Sequence, residues 1–174
     1  MSARARAATA RSAVGAAAAG TAGAAAGAPV RLRGHHLVCL QFFRGEGYSE
    51  AFVENLRGVI ERAATAPALV VAGADEVCAA CPDLGADGCC ASADAGGEVE
   101  IRRIDALAFA LLGVTAGDRV SLAEARERLA ADAIGVGQWR ADACAGCAWE
   151  DVCERGWGDL LGEAERAARA NPTT

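Results

Sequence analysis

Three cysteines fall within ten residues in the stretch DACAGCAWEDVC, which runs from Asp142 to Cys153. Cys144 and Cys147 form a CxxC pair, and Cys153 follows six positions later. Two residues between thiolates let the backbone turn, so that both sulfurs reach one metal while nearby amides donate to them. On a regular helix, a spacing of six residues would place Cys153 about 120° around the axis from Cys147. The spacing therefore predicts that the chain bends around a metal here.

A second group of cysteines lies in the loop DEVCAACPDLGADGCC, which is too rich in Gly, Asp and Pro to be regular. Cys78 and Cys81 form another CxxC pair, and Cys89 and Cys90 follow it. One of these two adjacent cysteines is expected to be the third ligand of this group, and the other is expected not to bind the metal, because neighbouring cysteines seldom both bind one metal. Thiols clustered in polar loops are not explained by core packing. Both groups are therefore predicted to hold metal.

The identity of the metal does not follow from the ligand type, because zinc and iron-sulfur clusters both take thiolates. Zinc ribbons usually place two CxxC pairs about 15 to 20 residues apart, and here the pairs lie more than sixty residues apart. The spacing CxxCxxxxxC with one remote cysteine resembles the cluster-binding segment of CRISPR-associated RecB-like nucleases and SPASM-type radical enzymes. This resemblance implies an iron-sulfur cluster, of the [4Fe-4S] type, with zinc as the alternative.

Cys39 is the best candidate for the fourth ligand of the group around Cys144, because no cysteine follows Cys153. One of the cysteines of the other group is the alternative. Cys39 lies in an apolar segment, so it could also be a small buried hydrophobic residue.

The chain has two histidines, His35 and His36, at the start of the same apolar segment. On a helix His35 and Cys39 would share a face at positions i and i+4, which suits a pair of metal ligands or a thiolate activated by imidazole. Histidines that only cap or pack at the helix start are the alternative. No acid that could orient them can be identified from the sequence.

Composition predicts one domain without an electrostatic site for nucleic acid. The chain has 174 residues, 53% of them hydrophobic, which suffices for one core of ordinary size. All 17 basic residues are Arg, and after residue 30 the chain has 14 of them against 23 acidic residues. An acidic body of this kind does not favour nucleic acid or anionic lipid. No run reaches the ~20 apolar residues of a membrane span, so we expect a cytoplasmic protein whose eight cysteines serve metal or redox chemistry.

The expected organisation has three parts. Residues 1–30 form an Ala/Gly-rich disordered extension, residues 31–158 a cysteine-rich metal-binding domain, and residues 159–174 a helical or frayed tail. We predict a mainly α single small domain of about four helices, with a minor β element and the two cysteine loops packed together at one end. The four helices are expected over residues 35–43, after Ser49, over residues 101–112 and after Ser121. The strand is expected over residues 68–73, and a loop is expected through Gly135 and Gly137.

Three segments together resemble a prokaryotic family, domain of unknown function 1284. They are RLRGHHLVCLQFFRGEGYSEAFVENL, VCAACP and CAGCAWEDVC. They match the family's LRxHHLLCL-like opening, its GYSxxFxxN continuation, and its CxxCP and CxGCxWxxxC motifs. The resemblance covers residues 31 to 153 and implies an iron-sulfur-binding protein, an expectation that itself rests on the same cysteines.

Three functions fit these patterns. The first is an iron-sulfur protein in electron transfer or redox sensing, with an unidentified redox or protein partner. The second is a structural zinc protein that acts as an interaction module. The third is an enzyme that uses the corner formed by His35, His36 and Cys39.

Overall fold

A computed structural model describes residues 28–92 and 96–170 of the chain. This part consists of six α-helices and a three-stranded sheet, together with two 3₁₀ turns at Leu40–Phe42 and Cys78–Ala80. The elements are, in chain order, β1 Arg31–Arg33, α1 Gly34–Cys39, α2 Glu50–Thr65, β2 Ala68–Val71, α3 Gly97–Leu112, β3 Arg119–Val120, α4 Leu122–Ala131, α5 Ala133–Ala143 and α6 Glu150–Ala170. The mainly helical single small domain predicted from the sequence is confirmed.

The sheet is small and has the order β1-β2-β3. Strand β1 runs parallel to β2, with Leu32 opposite Val70, and β3 runs antiparallel to β2, with Val120 opposite Ala68. These four side chains are almost completely buried. A parallel pair requires a crossover connection, and α1 and α2 supply it. The strand predicted from Ala68 is confirmed, whereas β1 and β3 were not predicted because they have only three and two residues.

Helices α2 and α4 begin directly after Ser49 and Ser121, the capping residues that the sequence predicted. Oγ of Ser49 accepts a hydrogen bond from the amide of Phe52 at 3.2 Å at the start of α2. At the start of α4, the amide of Glu124 donates to Oγ of Ser121 at 3.0 Å, and the amide of Ser121 donates to Oε2 of Glu124 at 2.8 Å. These reciprocal bonds form a capping box, which satisfies amides that the first turn leaves without helical partners.

Helix α5 corrects one prediction, because residues 133–143 were expected to be a loop through Gly135 and Gly137. The side chain of Asp132 caps the helix by accepting from the amide of Gly135 at 2.9 Å. Val136 and Trp139 are buried in the core. Their burial offsets the cost of each glycine in a helix, about 1 kcal/mol relative to alanine.

The last helix begins nine residues before the helical or frayed tail expected over residues 159–174. Helix α6 runs from Glu150 without a break across position 159, and Leu160 is fully buried. Cys153 therefore lies in the first turn of α6, and the predicted bend of the chain falls between α5 and α6. The expected disordered extension lies outside the described residues up to residue 27.

Helix α1 is packed among several other elements, and this packing fixes the positions of the residues at its two ends. Leu37 and Val38 are fully buried, and α1 packs against α3 and α4. The 3₁₀ turn that follows α1 packs against α6, where the rings of Phe42 and Trp157 lie 3.9 Å apart between centroids. The C-terminal end of α1, with Cys39, is therefore held close to the start of α6.

Candidate metal centre

One cavity of about 1520 Å³ lies between α1, the loop of residues 78–91 and the junction of α5 and α6. Its wall contains both histidines and seven of the eight cysteines. The seven cysteines are Cys39, Cys78, Cys81, Cys90, Cys144, Cys147 and Cys153. The structure thus brings both predicted cysteine groups to one region, whereas Cys89 does not line the cavity.

The two CxxC segments share a pattern of backbone hydrogen bonds. The amide of Cys81 donates to the carbonyl of Cys78 at 2.9 Å, and the amide of Cys147 donates to the carbonyl of Cys144 at 2.9 Å. In each segment the amide three residues further on donates to the carbonyl of the second cysteine, at 3.2 Å and 3.1 Å. The turns differ in shape, because Gly146 has a φ of 77° whereas its counterpart Ala80 lies in a 3₁₀ turn. In both segments the chain turns between the two cysteines, as a pair that binds one metal needs.

Cys39, the last residue of α1, lies beside the cysteines of the α5–α6 junction. Its thiol is exposed toward the cavity yet densely surrounded by protein atoms. This burial raises the pKa of Cys39 well above its usual value, and the nearby charges of Cys153, Cys144 and Cys147 raise it further. Cys39 therefore lines the cavity within electrostatic reach of the three cysteines of the α5–α6 junction. We call these four residues the Cys39 cluster.

Burial and crowding raise the pKa of Cys144 and of Cys153, and the positive charge of Arg140 offsets this only in part. Burial, followed by the charges of Cys147 and Cys153, raises the pKa of Cys144 to about 12. Burial and the charge of Cys147 also raise the pKa of Cys153, although Arg140 opposes this. Both effects disfavour thiolates. A bound cation reverses the balance, because it deprotonates coordinating thiols outright.

The loop of residues 78–91 folds back on itself and brings Cys90 toward Cys81. Leu84 and Cys90 form an isolated antiparallel bridge, and the amide of Gly85 donates to the carbonyl of Cys89 at 2.8 Å. Burial raises the pKa of Cys81, and the charge of Cys90 adds to this effect. Of the adjacent cysteine pair, it is therefore Cys90 that reaches the cavity. We call this loop the knuckle.

Each histidine is held by an aspartate that the sequence analysis did not identify. Nδ1 of His35 lies 2.7 Å from Oδ1 of Asp105, and Nδ1 of His36 lies 2.7 Å from Oδ2 of Asp75. The two imidazole rings are 4.1 Å apart between centroids. Each carboxylate can accept a hydrogen bond from an Nδ1–H group, and a neutral ring with its proton on Nδ1 has a free lone pair on Nε2.

The protonation states follow from burial and from these partners. Burial, together with the charge of His36, lowers the pKa of His35 to about 4, although Asp105 opposes this. Burial alone would raise the pKa of Asp75, but the charge of His36 and several hydrogen bonds outweigh it and hold that pKa below its usual range. His35 is therefore neutral and Asp75 ionised near pH 7.

A buried arginine ties the histidine corner to α3. Arg33 is 1% exposed; its Nε donates to Oδ2 of Asp105 at 2.8 Å, and its guanidinium donates to Oε1 of Glu98 at 3.2 Å. Glu98 also accepts from the amide of Cys90 through Oε2 at 2.9 Å. This network connects β1, α3 and the knuckle, and it satisfies a charge that would otherwise be costly to bury.

One N–H group donates toward sulfur at the Cys39 cluster. The amide of Trp149 lies 3.5 Å from Sγ of Cys147. The side chain of Trp139 also lines the cavity and is 5% exposed. Within the described residues its buried indole Nε1 has no hydrogen-bond partner, although buried donors are normally satisfied.

A set of mixed ligands lies around His36, which is one helical turn before Cys39 on α1. Among residues 28–92 and 96–170, one trio of metal-binding side chains has all its ligand atoms within 4.8 Å of one another, namely His36, Asp75 and Cys78. No three sulfurs of the Cys39 cluster meet that distance within the same ranges. Of the predicted ligands, His36 and Cys78 are therefore close together, while His35 is held by Asp105.

Comparison with known proteins identifies the family. The model of the family described as "Protein of unknown function (DUF1284)" matches residues 47–153, and the chain belongs to this family. The matched range contains seven of the eight cysteines and begins after the segment with Cys39 and the two histidines. Neither the curated proteins nor the solved structures contain a match to the chain. Within the described residues, no helix has both the length and the apolar character needed to cross a membrane.

Proposed function

We propose that this protein binds an iron-sulfur cluster through Cys39, Cys144, Cys147 and Cys153 and serves in electron transfer or redox sensing. The observation that supports this most is the position of Cys39. It comes from a helix more than a hundred residues before the other three, yet it lines the same cavity and lies within electrostatic reach of them. Four cysteines are the usual ligand number of [2Fe-2S] and [4Fe-4S] centres.

The spread of the four sulfurs favours a cluster over a single ion. With zinc-sulfur distances of about 2.3 Å in a tetrahedron, the sulfurs of a zinc site lie within about 4 Å of one another. In a [4Fe-4S] cluster each thiolate binds a different iron atom, so the ligand sulfurs stand further apart. Among the described residues, no three sulfurs of the Cys39 cluster come within 4.8 Å of one another. Zinc in this set of ligands is the alternative.

The surrounding residues suit a redox centre. When bound, the cluster would supply one-electron transfer. The amide of Trp149 provides an N–H donor to Cys147, and such donors stabilise negative charge on sulfur and tune its potential. Trp157 and Phe42 are almost completely buried and exclude water from one side of the site. Cys147 is exposed, so a redox partner could approach from its side.

Metal analysis of the full chain tests this proposal. Protein purified without exposure to air should contain iron and acid-labile sulfide in equal amounts. Cys147→Ala should lose most of both, whereas Cys89→Ala, a matched change outside the cavity, should retain them. Stoichiometric zinc without iron in protein never exposed to air would overturn the proposal, as would full iron content in Cys147→Ala.

A further inference from the structure

The mouth of the cavity has an apolar rim. Within the described residues, five large hydrophobic side chains are exposed, and three of them line this cavity. Tyr48 is 48% exposed, Leu84 36% and Val99 84%. They come from the loop before α2, from the knuckle and from the first turn of α3. Exposed apolar residues gathered around one opening are typical of a surface that another protein covers.

Tyr48 lies close to both cysteine groups. Its ring makes edge contacts with the rings of Phe52 and Trp149, whose centroids lie 5.0 Å and 5.3 Å away. Burial raises the pKa of Tyr48, and the nearby charges of Cys81 and Cys147 raise it further. Cys147 is itself exposed. A partner that covers Tyr48 therefore comes close to the thiol through which the proposed cluster is open to solvent.

Negative charge around the same mouth lacks a counter-charge. The three arginines that line the cavity each form an ion pair with an acid. Among the described residues, four acids of the lining form no ion pair, namely Glu46, Asp83, Asp142 and Glu150. Two of them flank the CxxC pair of the α5–α6 junction in the sequence. The apolar rim is therefore surrounded by uncompensated negative charge.

We infer that the mouth of the cavity docks an electron-transfer protein that has a basic face around its own redox centre. This inference rests on the proposed iron-sulfur function and names the kind of partner. The apolar rim supplies the buried contact, while the unpaired acids select a positively charged partner and speed its approach. A second copy of the chain does not suit this surface, because a two-fold interface would place the same acids against one another.

Binding of cytochrome c tests the surface, because this small haem protein is strongly basic and its succinylated form keeps the haem but is acidic. Full-length protein purified without exposure to air should bind the native form and not the succinylated one. The dissociation constant should rise about tenfold when salt shortens the screening length from about 30 Å to about 10 Å. After reduction by dithionite and removal of the excess, the cluster should pass one electron to the ferric haem, which becomes ferrous. Equal binding of the two forms would overturn the inference.

Matched variants locate the partner on the chain. Asp142→Lys should raise the dissociation constant for native cytochrome c about threefold to tenfold, and a lysine near the C-terminal end of α5 is compatible with the helix dipole. Tyr48→Ser should also weaken binding but leave its salt dependence unchanged. Glu127→Lys, an exposed site on α4 that does not line the cavity, should stay close to wild type. Equal weakening by Asp142→Lys and Glu127→Lys would overturn the inference, because the partner would then bind the acidic body at large.

The docking surface and the cluster can fail separately. A chain without iron and sulfide that still binds native but not succinylated cytochrome c, and loses this binding in Asp142→Lys, would support the docking surface and contradict the proposed function. A chain with a full complement of iron and sulfide that binds both forms alike would leave the proposed function standing and overturn the docking surface.

Discussion

Nδ1 of His35 lies 2.7 Å from Oδ1 of Asp105, while the other oxygen of the same carboxylate accepts from Nε of Arg33 at 2.8 Å. The aspartate also accepts from the backbone amide of His35 at 3.0 Å. One buried carboxylate on α3 therefore fixes the end of β1 and the start of α1. The histidine corner of the cavity depends on it.

Replacing Asp105 should destabilise the fold strongly. In Asp105→Asn, Arg33 remains buried and, among the described residues, keeps Glu98 as its acidic partner. Breaking a buried pair from one side typically costs about 3–5 kcal/mol. Chemical denaturation should show this as a lower midpoint. Glu100→Gln, on the exposed side of the same helix, should leave the midpoint nearly unchanged. An Asp105→Asn protein as stable as wild type would show that the network contributes little.

Acidification should lower the stability of the fold through protonation of His35, which Asp105 holds in the histidine corner. Its pKa is lowered to about 4 in the fold, chiefly by burial, and is about 6.5 in the unfolded chain. Between pH 6.5 and pH 4 the histidine is protonated in the unfolded chain but not in the folded one, so acidification favours unfolding. The contribution of neutral His35 to the free energy of unfolding is therefore fully present above about pH 6.5 and is lost as the pH falls toward 4. The loss is on the order of 3 kcal/mol over that window. Melting temperatures of wild type and His35→Gln, measured from pH 7.5 to 4.5, should converge on acidification; parallel curves would contradict the account.

Two glycines in helices should respond in opposite directions to alanine. A Cβ at Gly34 would lie 2.5 Å from the carbonyl oxygen of Asp105 and 2.9 Å from the ring of Phe109, so Gly34→Ala should force α1 and α3 apart at a cost of about 1–3 kcal/mol. Gly137 on α5 is exposed with no atom near its Cβ position, and Gly137→Ala should stabilise by about 0.5–1 kcal/mol. Thermal melts of the two variants provide the comparison. Equal effects would mean that α1 is not tightly packed against α3.

The adjacent cysteines of the knuckle should differ in their importance. Cys90 lines the cavity and its amide is held by Glu98, whereas Cys89 does not line it. Cys90→Ala should therefore lose metal and melt early, while Cys89→Ala should behave like wild type. Metal content together with the melting temperature measures this difference. The reverse order would show that the knuckle folds with the other thiol inward.

The local features of the fold could be predicted from the sequence, and the long-range ones could not. Ser49 and Ser121 mark helix starts because capping depends on residues three positions away. Helix α5 was missed because its two glycines weaken a local signal that Val136 and Trp139 restore through tertiary burial. The short strand β1 likewise depends on its pairing with β2, which lies almost forty residues later.

The candidate metal centre likewise has residues that the sequence could identify and residues that only the fold could. Clustered cysteines indicate metal ligands because the spacing itself carries the signal. The aspartates that orient His35 and His36 lie 70 and 39 residues away along the chain. Among 23 acidic residues, no local pattern distinguishes these two, so their role required the fold.

The central claim is that Cys39 shares one iron-sulfur centre with Cys144, Cys147 and Cys153, and the iron and sulfide content of Cys39→Ala tests it most directly. In protein purified without exposure to air, the account predicts that Cys39→Ala falls well below wild type in both iron and sulfide. The matched Cys89→Ala should keep the wild-type values. Wild-type iron and sulfide in Cys39→Ala, with an unchanged absorption spectrum, would contradict the account.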